Sequence, residues 1–162
     1  MMTSEMITIV PISEDFGRWD ELLALILSSF AYMDEVIDPP SSAHRLTLAS
    51  LAQKAREEIG FAAIEDGKLV GCVFCKIEPS SLYVGKLAIA PSHQRKGLGR
   101  RLLAVAEEIA RKNGLSALRL ETRIELTGNH LAFSKWGFEK TAENSHSGYS
   151  RVTSIEMRKR LA

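Results

Sequence analysis

The sequence predicts one α/β domain built on a mixed sheet, and two features carry this prediction. Asp66-Gly67 separates the apolar runs 61–64 and 69–77, a pattern typical of an antiparallel hairpin. The apolar run 82–90 is followed by a helical pattern and then by another strand, which is typical of a right-handed parallel crossover. Antiparallel and parallel pairing within one chain produce a mixed sheet.

Length and composition agree with a single domain. The chain has 162 residues, of which 45% are hydrophobic and 25% charged, so it can bury a core without disulfides or metals. No repeat, linker or low-complexity segment interrupts residues 1–162. The formal net charge of +1 at pH 7 leaves no basic stripe for counterion release, so we expect no nucleic-acid partner.

No segment of the sequence resembles a membrane or export signal. The longest apolar run, residues 22–30, is too short to span a bilayer and contains Ser28 and Ser29. The N-terminus lacks a basic region followed by an apolar one. We therefore expect a cytoplasmic protein with no membrane contact.

The sequence contains only two cysteines, and they form a C-x-x-C pair, Cys72 and Cys75. Both fall within the predicted strand 69–77, where an odd spacing places side chains on opposite faces. A redox or metal site needs converging sulfurs, so we interpret the pair as buried small hydrophobes and expect no metal.

The N-terminal third predicts a strand and two helices. Residues 6–12 have strand character, and Ser13, Glu14 and Asp15 can cap a helix over about 15–32. Pro39 and Pro40 end any helix there, because proline lacks a donor and restricts the residue before it. Ser41 or Ser42 can cap the second helix.

The C-terminal half alternates strands and helices. The nearly continuous apolar character of residues 82–90 suits one central strand covered on both faces. The helix 98–113 has Gly114 as its C-terminal cap, and the strand 117–122 precedes a helix that ends at Gly137. The final strands are predicted at 138–141 and 152–157.

The loop between the central strand and the helix at residue 98 suits an oligophosphate. Unpaired N–H groups at the start of a helix lie at the positive end of its dipole. Gly97 and Gly99 allow a close approach to the backbone, while Arg95, Lys96 and Arg100 add positive charge. A tight solvated turn is the structural alternative. A nucleotide fold is the weaker alternative, because neither a P-loop nor a full dinucleotide-binding motif is present.

Segments 87–91 (LAIAP) and 94–99 (QRKGLG) resemble the central signature of the GNAT superfamily of N-acetyltransferases, whose loop reads Q/R-x-x-G-x-G/A. The order of elements also matches, so the resemblance covers almost the whole chain and is strongest over residues 61–138. It implies a GNAT-like fold: a mostly antiparallel sheet of about six or seven strands, helices on both faces and splayed central strands.

The resemblance implies acetyl-CoA as cosubstrate. The amides of residues 95–100 would hold the pyrophosphate, and the backbone of residues 87–89 would pair with the pantetheine arm as an added strand would. Asn129 could also reach the arm, although a local helix-start role explains it equally well. The predicted coenzyme A-binding residues are Leu87, Ala88, Ile89, Gln94, Arg95, Lys96, Gly97, Leu98, Gly99, Arg100 and Asn129.

The catalytic positions depart from the family pattern. Many relatives carry a tyrosine near the departing sulfur, and here that position is Phe133. His130, one turn back on the same helix face, is the candidate proton donor, with unassisted thiolate departure as the alternative. Glu121 is the candidate base and Glu125 its neighbour, although ion pairing explains both equally well. Further candidates for acid–base roles are Tyr83, Lys86 and Tyr149.

These features predict an N-acetyltransferase that moves an acetyl group from acetyl-CoA to a primary amine by direct attack in a ternary complex. A small molecule is the expected acceptor, and Asp34, Glu35 and Asp38 would suit a cationic amine, unless they form only a solvated turn. The alternative is a catalytically impaired acyl-CoA-binding or sensor module, which the loss of the tyrosine favours. A homodimer remains open.

Overall fold

The structure, a computed structural model, describes residues 6–161. The helices are α1 (Trp19–Phe30), α2 (Leu48–Glu57), α3 (Leu98–Lys112) and α4 (Thr127–Lys135). Short 3-10 turns occur at Ala31–Met33, Ser42–Arg45 and Pro91–His93. The strands are β1 (Thr8–Ile12), β2 (Ile59–Glu65), β3 (Lys68–Ile77), β4 (Ser81–Val84), β5 (Ala88–Ile89), β6 (Ala117–Arg123), β7 (Glu139–Asn144) and β8 (Ser154–Arg160). No helix in this span is both long and apolar enough to cross a membrane.

The strands form an eight-stranded sheet in the order β1-β2-β3-β4-β6-β8-β7, with β5 also paired to β3. The pairing of β4 with β6 is parallel, and the other recorded pairings are antiparallel. The predicted mixed, mostly antiparallel sheet is therefore confirmed, with one strand more than expected.

Helices cover both faces of the sheet, as predicted. On one face Leu102 of α3 packs in a cluster with Leu82 and Leu118. On the other face Leu22 of α1 and Leu51 of α2 pack in a second cluster. All five of these leucine side chains are fully buried. Burial of such side chains contributes about 1.5–3 kcal/mol each, so both layers stabilise the sheet between them.

The Asp66-Gly67 hairpin forms as the sequence predicts. Both turn residues have positive φ, 52° and 76°, and Glu65 pairs with Lys68 across the turn. Positive φ at both central positions is the feature of the turn whose twist matches that of the flanking strands. The turn chemistry thus sets the register of β2 against β3 next to the turn, and the register shifts between Ala63 and Ile64.

The cysteines are buried on opposite faces of β3, as predicted. Cys72 packs in the cluster with α1, and Cys75 in the cluster with α3. Burial raises the pKa of each thiol to about 12. Because the thiolate is the reactive species, we expect native protein in iodoacetamide at about pH 8 to stay unmodified for about an hour, and unfolded protein to react at both thiols. Rapid alkylation of the native protein, measured by mass, would contradict this burial.

The starts of the first two helices differ from prediction. The Phe16 N–H donates to the Ser13 carbonyl over 3.0 Å, and Gly17 has a φ of +71°, so a turn occupies the expected first helical turn. Ser41 caps the 3-10 turn and not a helix, because its side chain accepts from the Ala43 N–H. The second helix is instead capped by a reciprocal pair, Thr47 and Ser50.

The prediction of one continuous central strand is wrong. β4 ends at Val84, and β5 begins only at Ala88. The Gly85 N–H still donates to Phe74 of β3 over 2.7 Å, but the Leu87 N–H turns back to the Gly85 carbonyl over 2.6 Å. Parallel pairing of β4 with β6 stops after residues 81–83 and 117–119. Beyond that point the central strands separate, and this is the predicted splay.

Candidate active site

Two adjoining cavities lie where the central strands separate. The loop cavity encloses about 730 Å³ and is bounded by Gln94, Arg95, Gly97 and Gly99. The basic cavity encloses about 760 Å³ and is bounded by Arg45, Lys54, Lys86 and Arg123. Both cavities share one wall, so molecules bound in them would meet there. The shared lining consists of Phe30, Met33, Leu87, Leu126, Asn129 and Phe133.

The loop cavity ends on the N-terminus of α3. Arg95 and Gly97 both have positive φ, 63° and 86°, and Gly97 is the N-cap with no side-chain cap. Intrahelical bonding begins with the Arg101 N–H, which donates to the Gly97 carbonyl over 3.1 Å. The N–H groups of residues 98–100 therefore have no acceptor within the helix. This is the arrangement that favours an oligophosphate.

Two side chains hold this loop against the sheet. His93 Nε2 lies 2.8 Å from Glu65 Oε1, and the Gln94 side-chain amide donates to the Ile89 carbonyl over 3.0 Å. The Gln94 side chain therefore anchors the loop. Leu98 is buried in the core with 3% of its surface exposed, so only its backbone N–H is available to a ligand.

Positive side chains surround the same N-terminus. Arg95, Lys96 and Arg100 are exposed, and none forms an ion pair within residues 6–161. Their charges reinforce the positive end of the α3 dipole. The residues predicted to bind a pyrophosphate are thus brought together at one edge of the loop cavity.

β5 offers one free backbone group to the gap between the strands. The Ala90 N–H donates to the Val70 carbonyl over 2.9 Å, and Ala88 pairs with Cys72. Because strand groups alternate sides, the Ile89 N–H points away from β3 and into the gap. Ala88 directs its own groups toward β3, so its predicted pairing with a pantetheine arm does not fit this geometry.

The shared wall contains Phe133 at the position where a tyrosine was expected. Its ring packs edge to face on Trp136 and Phe138, with centroids 5.8 and 5.6 Å apart. A tyrosine hydroxyl nevertheless lies close to the shared wall. The Tyr32 hydroxyl oxygen accepts a hydrogen bond from the Asn129 side-chain amide over 3.3 Å. Sequence reasoning did not predict this contact, since nothing local indicates that the turn after α1 lies opposite α4.

The structure separates the two candidate catalytic residues. Glu121 lines the basic cavity, with its Oε2 3.0 Å from Arg119 Nη1. His130 lines neither cavity, and its Nε2 lies 2.9 Å from the Arg123 carbonyl. The geometry therefore does not support His130 as proton donor, because its ring nitrogen is engaged by backbone.

Glu125 lines the loop cavity. Its Oε1 is buried without a hydrogen-bond partner among the residues that the structure describes, while its Oε2 accepts from the Asp38 N–H over 3.3 Å. Arg151 Nη1 lies 3.6 Å from the same Oε2. Glu125, which lies just before α4, thus contacts the acidic turn, residues 34–38. In the described part of the chain, no group of three or more His, Cys, Asp or Glu side chains could hold a metal ion.

The acidic residues Asp34, Glu35 and Asp38 line neither cavity, which agrees with the alternative of a solvated turn. Asp34 pairs with His44 at 2.7 Å, and Asp38 accepts from the Tyr149 hydroxyl over 2.6 Å. Neither carboxylate lines the basic cavity, nor does Glu35. The charged lining is predominantly positive, with Glu121 as its acidic member, and its basic members are Arg45, Lys54, Lys86 and Arg123.

Comparisons with known proteins agree with this site. A model of the acetyltransferase (GNAT) family matches residues 19–138. A protein named IAA acetyltransferase from Azospirillum brasilense is 33% identical over 132 residues, which cover 80% of this chain and 84% of that protein.

Solved structures share the fold at lower identity. The PaiA N-acetyltransferase of Thermoplasma acidophilum in complex with coenzyme A has a TM-score of 0.79 at 19% identity, covering 96% of this chain and 99% of that one. A GNAT family acetyltransferase from Elizabethkingia anophelis with acetyl-CoA bound has a TM-score of 0.68 at 19% identity, covering 97% and 99%. The family model spans most of the residues that build both cavities, and the chain therefore belongs to the GNAT family of acetyltransferases.

Proposed function

We propose that this protein transfers an acetyl group from acetyl-CoA to the primary amine of a small molecule, by direct attack in a ternary complex. The carrying observation is the wall that the loop cavity and the basic cavity share. A donor in one cavity and an acceptor in the other would meet at Leu87, Asn129 and Phe133, which direct transfer requires.

The donor fits the loop cavity group by group. The pyrophosphate would accept from the free N–H groups at residues 98–100, with Arg95 and Lys96 beside it. The pantetheine arm would run along β5 and accept from the Ile89 N–H. This path leads the thioester toward the shared wall.

At that wall the amine nitrogen would attack the thioester carbonyl, forming a C–N bond as the C–S bond breaks. Glu121, the acidic member of the basic cavity lining, would take the proton from the amine. Coenzyme A leaves as a thiolate with a thiol pKa of about 8.5, so departure does not require an acid. Phe133 is therefore compatible with turnover.

The acceptor is a small molecule because the basic cavity is a bounded space of about 760 Å³ within one domain. The relative named IAA acetyltransferase, which matches 80% of this chain, also supports a small-molecule acceptor.

The decisive experiment has two readouts. Calorimetry should show binding of acetyl-CoA and none of ATP or NAD, because the loop lacks the features of nucleotide-binding motifs. Thiol release should continue steadily with at least one member of a panel of primary amines. Acetyl-CoA binding without thiol release from any amine would instead identify an acyl-CoA-binding or sensor module.

A further inference from the structure

The basic cavity concentrates positive charge from four separate parts of the fold. Arg45 comes from the 3-10 turn before α2, Lys54 from α2, Lys86 from the connection between β4 and β5, and Arg123 from the end of β6. These residues, called the basic cluster below, are far apart in sequence. The tertiary structure brings them to the lining of one cavity.

Most of this charge lacks a neutralising partner. Lys54 pairs with Glu58 at 2.8 Å. The Lys86 ammonium donates to the Ser42 hydroxyl over 2.6 Å, which satisfies a hydrogen bond but not the charge. Within residues 6–161, Arg45 and Lys86 have no carboxylate at ion-pair distance.

Arg123 is held in the same way by neutral groups. Its guanidinium donates to the Pro39 carbonyl over 2.5 Å and to the Pro40 carbonyl over 3.0 Å. The acid nearest in the cavity lining, Glu121, is already paired with Arg119. The cluster therefore keeps an excess of positive charge facing the cavity.

Keeping these cations together carries an electrostatic cost. Burial, together with the charges of Lys54, Arg45 and Arg123, lowers the pKa of Lys86 to about 8, although the nearby Glu58 carboxylate acts in the opposite direction. An anion bound among them would favour the charged form of Lys86. The mutual repulsion of these cations therefore favours binding of an anionic group among them.

We infer that the acceptor carries a carboxylate beside its amine, and that Lys86 and Arg45 bind this carboxylate while the amine faces Glu121. The inference rests on the proposed function, whose acceptor cavity it describes. The acceptor therefore carries a negative group, whereas the residues of the acidic turn suggested an acceptor that is only cationic.

The donors that remain free in the cluster suffice for a carboxylate. Lys86 has spent one of its donors on Ser42, and Arg123 has spent donors on two carbonyls. Arg45 alone keeps its whole fork, which matches the two oxygens of a carboxylate. Apolar lining beside the cluster, from Phe30, Met33 and Leu46, suits an apolar body. An α-amino acid with an apolar side chain combines these properties.

The test compares matched amines. L-phenylalanine, L-methionine and L-leucine are each paired with their carboxamides, and thiol release is measured at saturating acetyl-CoA. We expect kcat/KM to be at least about tenfold higher for the acid in the best pair, because a hydrogen bond to a charged group is stronger than one to a neutral group. The carboxamides have the less basic amine, so near neutral pH more of it is unprotonated, and the supply of free amine works against this result. Equal or higher kcat/KM for every carboxamide, with thiol release observed, overturns the inference and leaves the proposed function standing.

Variants locate the anion site. Lys86→Gln should lower kcat/KM for the acid at least about fivefold and change that for the carboxamide by less than about twofold, because the lost charge acts on the carboxylate alone. Arg45→Gln, at an exposed position, provides a second variant with the same expected pattern. Lys112→Gln, near the far end of α3, removes one charge elsewhere and should change neither substrate. Equal losses for acid and carboxamide would contradict a carboxylate contact.

A binding readout keeps the inference testable without turnover. Calorimetry of the coenzyme A complex compares N-acetyl-L-phenylalanine with its carboxamide. We expect the acid to bind more tightly than the carboxamide, and we expect Lys86→Gln to abolish this difference. That result supports the anion site even if no amine releases thiol. The lack of thiol release would then refute the proposed function alone. Indistinguishable affinities would overturn the inference.

Discussion

Gly99→Glu is expected to weaken acetyl-CoA binding at least about 100-fold. The new carboxylate would stand among the free N–H groups at the start of α3, where the pyrophosphate is expected. Like charges about 4 Å apart repel by roughly 4 kcal/mol at an effective dielectric near 20, and about 1.4 kcal/mol corresponds to a tenfold loss. Calorimetry with acetyl-CoA measures the change directly.

The fold should tolerate this substitution. A Cβ at Gly99 would lie 3.7 Å from Trp136 and 3.9 Å from Ile89, which is ordinary contact, whereas Gly97 has a φ of +86° and would also be strained. Lys112→Glu, exposed at the opposite end of α3, places a carboxylate away from the loop without such strain. It should retain wild-type affinity, and unchanged affinity in folded Gly99→Glu would refute the loop assignment.

Glu121→Gln is expected to lower kcat by about 10²-fold, at the lower end of what a general base contributes. The amide keeps the size of the side chain and one acceptor for Arg119, but it cannot take a proton from the amine. The dissociation constant of acetyl-CoA should remain unchanged, because Glu121 lines the basic cavity and not the loop cavity. Steady-state kinetics and calorimetry separate these two effects.

A matched substitution distinguishes catalysis from a general loss of charge. Glu108→Gln, exposed on α3, removes one carboxylate away from both cavities and should leave kcat within about twofold, as surface substitutions usually do. If Glu121→Gln also retained kcat within that margin, Glu121 would not be the base. Glu125, whose Oε1 is buried without a partner in the described part of the chain, would then be the next carboxylate to replace.

The position of the loop at residues 94–99 depends on contacts that the loop sequence shows only in part. The glycines and basic residues indicated an oligophosphate site, and the structure places them at one helix N-terminus. The anchors of the loop, His93 on Glu65 and Gln94 on Ile89, bring in residues from the preceding hairpin and β5. Such partners follow from the packing of the strands and not from the loop itself.

The sequence by itself determined those features whose physics is local. Asp66-Gly67 adopts the positive φ values of a hairpin turn, and α3 follows its helical pattern to Lys112, with Gly114 after it at positive φ. The odd spacing of Cys72 and Cys75 places them on opposite faces of β3. Turn chemistry and side-chain periodicity depend on neighbours within a few residues, so they can be predicted from the chain alone.

Only the tertiary structure decided the charge of the basic cavity and the hydroxyl beside Asn129. Asp38, which sequence reasoning placed in that cavity, instead meets Tyr149, 111 residues away. Lys86 faces the cavity with Arg123 because β4 and β6 are paired only as far as residues 83 and 119. Contacts between residues so distant in sequence depend on how the sheet and its helices pack, and no local pattern records which side chains share a wall.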